Sequence, residues 1–206
     1  MIKRKDKILI SAIDLLYSEG VSGVTTKNLA KLEKVTEPAL YRQYKNKQEI
    51  LNHIVEAYAQ YDEKIINTIK ESPLSGYEVI QYYIKRFIEF YENYVELTTV
   101  MFSMDLYYYH DATKARMEEI VNRRIGFLEN LIRLNQDVLL KNTGYSSREM
   151  ASMIHGTLFA QIYEWRMTGM HYSLKERVLD YVMKLLGNSN AYKQVIEKNE
   201  DRKEEI

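Results

Sequence analysis

Apolar residues recur every three or four positions along almost the whole chain, and no run alternates with period two. That periodicity excludes a sheet protein and predicts an all-α fold. Ile8, Ala12 and Leu16 form one such stripe, with Leu9 and Ile13 beside it, in a helix expected over Lys3–Glu19 and stopped by Gly20. Later helix starts are written in side chains. Asn46 with Glu49, Ser75 with Glu78, Ser146 with Glu149 and Ser173 with Glu176 each place an oxygen three residues before a carboxylate, the capping-box spacing. Ser72-Pro73, His110-Asp111, Asn142 to Gly144, Gly169 and Gly187 read as stops. About nine helices result. They include one from Lys47 to about Lys70, one over about Glu96–Tyr109 and a long one over about Ala112–Leu140.

Between Thr25 and Lys47 the helices become short: about Thr26–Glu33, a turn, then Glu37–Tyr44. Leu29, Ala30, Val35, Leu40 and Tyr44 are spaced to pack the pair together, which turns Thr36, Glu37, Arg42 and Gln43 outward. This is the pattern of a helix-turn-helix, whose second helix enters a DNA major groove. Charge agrees. The chain is neutral overall, yet residues 1–47 hold ten Lys/Arg against five Asp/Glu, so a net of +5 is balanced by −5 on the remainder. A basic head on an acidic body suits a phosphate-rich partner.

Other classes find no footing. With no cysteine, thiolate metal sites, disulfides and cysteine nucleophiles are excluded. The four histidines, His53, His110, His155 and His171, show no metal-ligand spacing, and no Glu-x-x-His, Walker or Gly-x-Ser-x-Gly motif occurs, so neither an enzyme nor a cofactor is expected. The start, MIKRKDKILISAIDLLYSEG, is basic and then apolar, but Asp6, Asp14 and Glu19 interrupt it, as in the first helix of a folded domain rather than a signal peptide. No apolar run reaches the ~18 residues of a membrane span. The expected location is cytoplasmic.

Residues 8–51 resemble the DNA-binding domain of the TetR family of bacterial transcriptional regulators. The resemblance rests on Leu15-Leu16-Tyr17 then Gly20, Thr25-Thr26, Leu29-Ala30, Val35-Thr36, Leu40-Tyr41, Tyr44, Lys47 and Ile50-Leu51. It implies an N-terminal three-helix helix-turn-helix domain (1–47), a helical ligand-binding and dimerisation domain (48–188) and a charged tail (189–206). It also implies roles in the head. Thr26 and Lys27 would meet phosphate, with a base edge as the alternative, Glu37, Pro38 and Tyr41 would face the groove, and Gln43 and Lys47 would hold the backbone. With the outward Thr36 and Arg42 these form the expected DNA contacts; Arg42 can read guanine or reach a phosphate. Lys34 stands where the family's turn has glycine, so a positive φ there would cost roughly 1 kcal/mol.

A two-fold operator calls for a homodimer. The expected dimer face is the apolar stripe of the last two helices: Met150, Ile154, Leu158, Ile162, Leu174, Val178, Tyr181, Val182 and Leu185. In the family, the preceding helices enclose a chamber for a small, often hydrophobic effector. Tyr82, Phe87, Tyr91, Met101, Phe102, Met104, Tyr108, Met117, Phe127, His155, Phe159 and Tyr163 supply the aromatic and thioether surface such a chamber wants. The expected function is a regulator, in the repressing sense, released from DNA when an effector favours a state with the heads apart. Helix Lys47–Lys70 would carry that shift. A DNA-binding, nucleoid-associated or division-linked protein without an effector is the alternative.

Overall fold

The structure is a computed structural model that describes residues 3–108, 111–141 and 143–188. The expected break at His110, Asn142 and the charged tail 189–206 lie outside the described residues, as does the side chain of Tyr108. Every regular element among the described residues is helical.

The N-terminal helices follow the sequence signals closely. Helix α1 spans Arg4–Gly23, with Gly20 at φ 70° breaking its regularity where the glycine stop was expected. Helices α2 (Thr26–Leu32) and α3 (Glu37–Tyr41) are the short pair, and α4 (Lys47–Ala59) follows. α1 packs on α2 and α4, and α2 packs on α3. Ile8, Leu16, Leu29, Leu40, Tyr44, Ile50, Leu51 and Ile54 are all buried to within 1% of complete. The Tyr44 hydroxyl also donates to the Lys5 carbonyl (3.2 Å), and Lys5 lies 4.8 Å over its ring and 3.2 Å from Glu49. Burial, then the Glu49 and Asp6 carboxylates, push the Tyr44 phenol up to about 12.

Several long helices expected downstream are interrupted. Lys47–Lys70 is two helices, α4 and α5 (Asp62–Glu71), parted at Gln60-Tyr61. No proline or glycine marks that break, although Asp62 and Glu63 suit the positive end of a new helix. α6 (Gly76–Asn93) covers the expected span, but its start departs from the expected Ser75/Glu78 capping box: the Glu78 amide donates to the Ser75 backbone carbonyl (3.1 Å). Glu96–Tyr109 becomes a 3-10 turn (Val95–Leu97), α7 (Thr98–Phe102) and α8 (Asp105–Tyr108), with Ser103 leaving helical geometry at ψ 73°. The long helix Ala112–Leu140 is α9 (Asp111–Leu134) and α10 (Gln136–Leu139), broken at Asn135. There the Asn135 side chain accepts from the Gly76 amide (2.6 Å) and donates to the Leu131 carbonyl (2.9 Å). It satisfies one helix start while breaking another. α11 (Ser147–Met167) has the full Ser146/Glu149 capping box, and α12 (Leu174–Leu185) is capped by Ser173.

The described residues gather into two compact units. One comprises residues up to Glu63 together with Asn93–Asn122; the other comprises Lys64–Glu92 together with the described residues from Arg123 onward. Compactness therefore does not divide at residue 47: the head shares a unit with α4, the 3-10 turn and α7. In the second unit α11 packs against α12. This overturns most of the expected dimer stripe. Met150, Ile154, Leu158, Ile162, Leu174, Val178 and Val182 are each no more than 1% exposed within the single chain, and only Tyr181 and Leu185 retain accessible surface. The widest apolar stripe of each helix closes the unit's own core, which is the first demand on apolar area.

The turn after α2 holds the cost foreseen at Lys34. Its φ is 52°, and its amide donates to Lys31 O (3.3 Å) while Val35 N donates to Ala30 O (2.9 Å). That is a Schellman ending with lysine in the position glycine usually takes. Lys34→Gly is expected to raise stability by about 0.5–1 kcal/mol, the steric relief offset in part by added unfolded-state entropy. Urea unfolding checks it; a loss of stability would show the lysine side chain to be a net contributor.

Candidate nucleic-acid interface

The outward face of the short pair is built from its caps. Thr25 Oγ1 accepts from the Asn28 amide (3.1 Å), opening α2, and the Asn28 side chain ties back to Gly23 O (2.9 Å). Thr36 Oγ1 accepts from the Ala39 amide at 3.4 Å, and Pro38 occupies the first turn of α3, where its missing N–H is not needed. With Leu40 and Tyr44 fixed inward, Lys27, Thr36, Glu37, Pro38, Tyr41 and Arg42 are exposed, Tyr41 at 48%. Thr26 and Gln43 are half-buried at the edge. Lys31, Lys34 and Lys45 are exposed around the same surface. The side chains expected to face DNA thus lie on the accessible side of a helix only five residues long.

Several contacts in the head were not legible in the sequence. The Thr26 hydroxyl donates to a Glu37 carboxylate oxygen (2.8 Å), so two expected DNA contacts hold each other across α2 and α3. Lys47, expected on phosphate, donates to Val21 O at 2.7 Å. Partial burial lowers its pKa, and its first task is to fasten α4 to the end of α1. Glu49 departs from its expected capping-box role. Asn46 does cap α4, accepting from Glu49 N (2.9 Å), but the Glu49 carboxylate takes the Lys45 amide (2.8 Å) and Lys5 instead. Those hydrogen bonds hold its pKa below the usual carboxylate range.

The residues expected to line an effector chamber divide between the units. Phe87 and Tyr91 are core in the second unit, where ring centroids of Tyr83–Phe87 and Tyr83–Phe127 lie 5.9 Å apart and Phe87–Tyr91 5.1 Å. His155 is half-buried there, and desolvation, then the Arg124 guanidinium, lower its pKa, favouring neutral imidazole. Tyr82 instead borders a cleft of ≈ 300 Å³ with Leu179 and Met183. In the first unit Met101 is buried, while Phe102 and Met117 are half-buried. Met104, Phe159 and Tyr163 do not fit the expectation: they are 54%, 41% and 52% exposed. On α11 the inward stripe is already filled by Ile154, Leu158 and Ile162, so Phe159 and Tyr163 point the other way.

The sequence model described as "Bacterial regulatory proteins, tetR family" matches residues 8–54, which span α1 to α3 and the first half of α4. Residues 8–54 are thus a tetR-family segment. Among its relatives, the nucleoid occlusion factor SlmA of Aliivibrio fischeri (strain MJ11) is 29% identical over 121 residues, 58% of this chain and 62% of that protein. The tetracycline repressor protein class E of Escherichia coli is 42% identical over 52 residues, a quarter of each chain. The chain thus spans less than two thirds of either relative's length. The tetR fold extends well beyond the head. The transcriptional regulator FadR from Bacillus subtilis, solved with stearoyl-CoA, superimposes with a TM-score of 0.71 at 20% identity, covering 90% of this chain and 99% of that one.

Proposed function

We propose that this protein regulates transcription by binding a palindromic DNA operator as a homodimer, and that a small apolar effector releases it. The reader is α3, flanked by Thr26 and Lys27. The observation that carries the reading is the outward set Lys27, Thr36, Glu37, Tyr41 and Arg42 on a head that the family model matches. Selecting bound duplexes from random DNA tests it. A palindrome with half-sites about one helical turn apart is expected; enrichment of no palindrome would sink it.

Lys27 and Arg42 separate two kinds of contact. Lys27→Ala is expected to weaken binding about equally on all sequences and to reduce the salt slope by about 1. Arg42→Ala does the same if its guanidinium sits on phosphate. If it reads guanine, binding falls by about 1–3 kcal/mol and specificity relaxes at one base pair. Operator titrations over a salt series distinguish these outcomes.

For release, the effector must prefer the state in which the heads do not match the operator, since equal affinity for both states shifts nothing. The FadR neighbour, solved with stearoyl-CoA, supports a helical body of this fold that takes an apolar ligand. A second reading draws support from SlmA, because that match runs far past the head. In that reading the protein marks the nucleoid and needs no effector. Native mass spectrometry of the purified protein separates the two: retained mass of a lipid-like compound supports the first, a bare chain the second.

A further inference from the structure

The first unit contains a cleft that reading DNA does not use. It opens between α1, the C-terminal end of α4 and the 3-10 turn Val95–Leu97, and encloses ≈ 350 Å³. Its floor is aliphatic, formed by Ile10, Ile13, Ala57 and Leu97, and Ile10 is 51% exposed. Its rim carries three carboxylates, Asp6, Asp14 and Glu96, and none of the side chains lining it is basic. Tyr94, 51% exposed, adds an aromatic ring at the edge.

Each part of that lining narrows the ligand. Asp14 and Glu96 come from different elements and repel one another. Partial burial, then the Glu96 charge, raise the pKa of Asp14. A positive charge brought into the cleft relieves this repulsion, and an anion meets it three times over. A hard metal ion is a poor answer, because it needs several oxygens converging on one point. No such convergent group occurs among the described residues. The exposed aliphatic floor asks for an apolar body, and a tyrosine face attracts ammonium groups. We propose that this cleft binds a small amphiphilic cation, its ammonium group at Asp14 and Glu96, with Asp6 adding negative charge two turns away along α1, and its apolar body on Ile10, Ile13 and Leu97. Because α1 packs on α2 and α4 follows the short pair in the chain, an occupant here touches both helices that flank the DNA-reading pair.

Isothermal titration of the full-length chain with benzyltrimethylammonium at fixed ionic strength tests the site without DNA. Saturable binding of one cation per chain is expected. Tetramethylammonium, which lacks the apolar body, and benzyl alcohol, which lacks the charge, should each bind at least tenfold more weakly. Asp14→Asn with Glu96→Gln should weaken binding at least tenfold while raising the melting temperature, since it removes a repulsion. Ile10→Asn, at an exposed position, should weaken binding with the fold intact. No binding, unchanged affinity in the carboxylate variant, or equal affinity for either partial ligand would overturn the proposal. So would tighter, competing binding of Mg²⁺, which would make the cleft a metal site, or of hexalysine, which would make it a dock for basic peptides.

Discussion

Tyr163→Asp combined with Met167→Asp is expected to convert the protein to a monomer that holds a palindromic operator at least ~100-fold more weakly. The homodimer proposed above needs an apolar face, and the stripe that periodicity suggested is spent inside the chain. Structure leaves a different one. Phe159, Tyr163 and Met167 recur every fourth residue on the outer side of α11 and are 41%, 52% and 68% exposed. Gly156 and Ala160 are exposed beside them, and α12 offers Tyr181 at 43%. Small residues at that spacing let a facing helix approach, and the large ones supply area. In a two-fold interface each substitution appears twice, so the pair buries four unpaired carboxylates, each a penalty of several kcal/mol. Without the dimer, the second half-site no longer benefits from the effective concentration that linkage provides, commonly worth about 10²-fold or more. Sedimentation velocity and operator titration read both effects. The unfolding midpoint should hardly move, because these side chains are exposed in the single chain. A double variant still dimeric at micromolar concentration would remove α11 from the interface.

The contrast between that face and the expected one shows what periodicity could and could not carry. A helical repeat identifies a face that must be covered but not what covers it. Met150, Ile154 and Leu158 announce burial in the sequence; burial within the chain, where α11 packs against α12, rather than by a second copy is visible only in the fold. Aromatic character points Phe159 and Tyr163 toward a chamber, yet their side of α11 is fixed by which stripe wins the core. The head was far more legible. Its caps, short helices and turn are local signals, each decided within a few residues, and the strain at Lys34 follows from comparing its turn with the family's glycine. What escaped there was long-range or between side chains: Lys47 on Val21 O, Thr26 on Glu37, Ser11 on Glu33 at 2.6 Å. The breaks at Gln60-Tyr61 and Asn135 belong to the same class. Asn135 interrupts a helix because a residue 59 positions away needs its oxygen.

Leu40→Ala is the substitution expected to cost most in the head. Leu40 is fully buried and is the one buried residue within α3. A five-residue helix has far too few hydrogen bonds to persist alone, so α3 exists because Leu40 and the following Tyr44 anchor it. Truncation to alanine removes apolar contact and leaves a cavity, together about 2–5 kcal/mol. The loss should be felt first in α3, seen as faster amide exchange at Gln43 and Tyr44, whose N–H groups donate to Leu40 O. Operator binding should vanish with it. Tyr41→Ala provides the contrast. Tyr41 is exposed on the same helix, so stability should stay within about 0.5 kcal/mol of the parent. If Tyr41 meets DNA, operator affinity should nevertheless fall. Equal stability losses in the two variants would mean that Tyr41 is a packing residue, and that the reading surface on α3 reduces to Thr36, Glu37, Pro38 and Arg42.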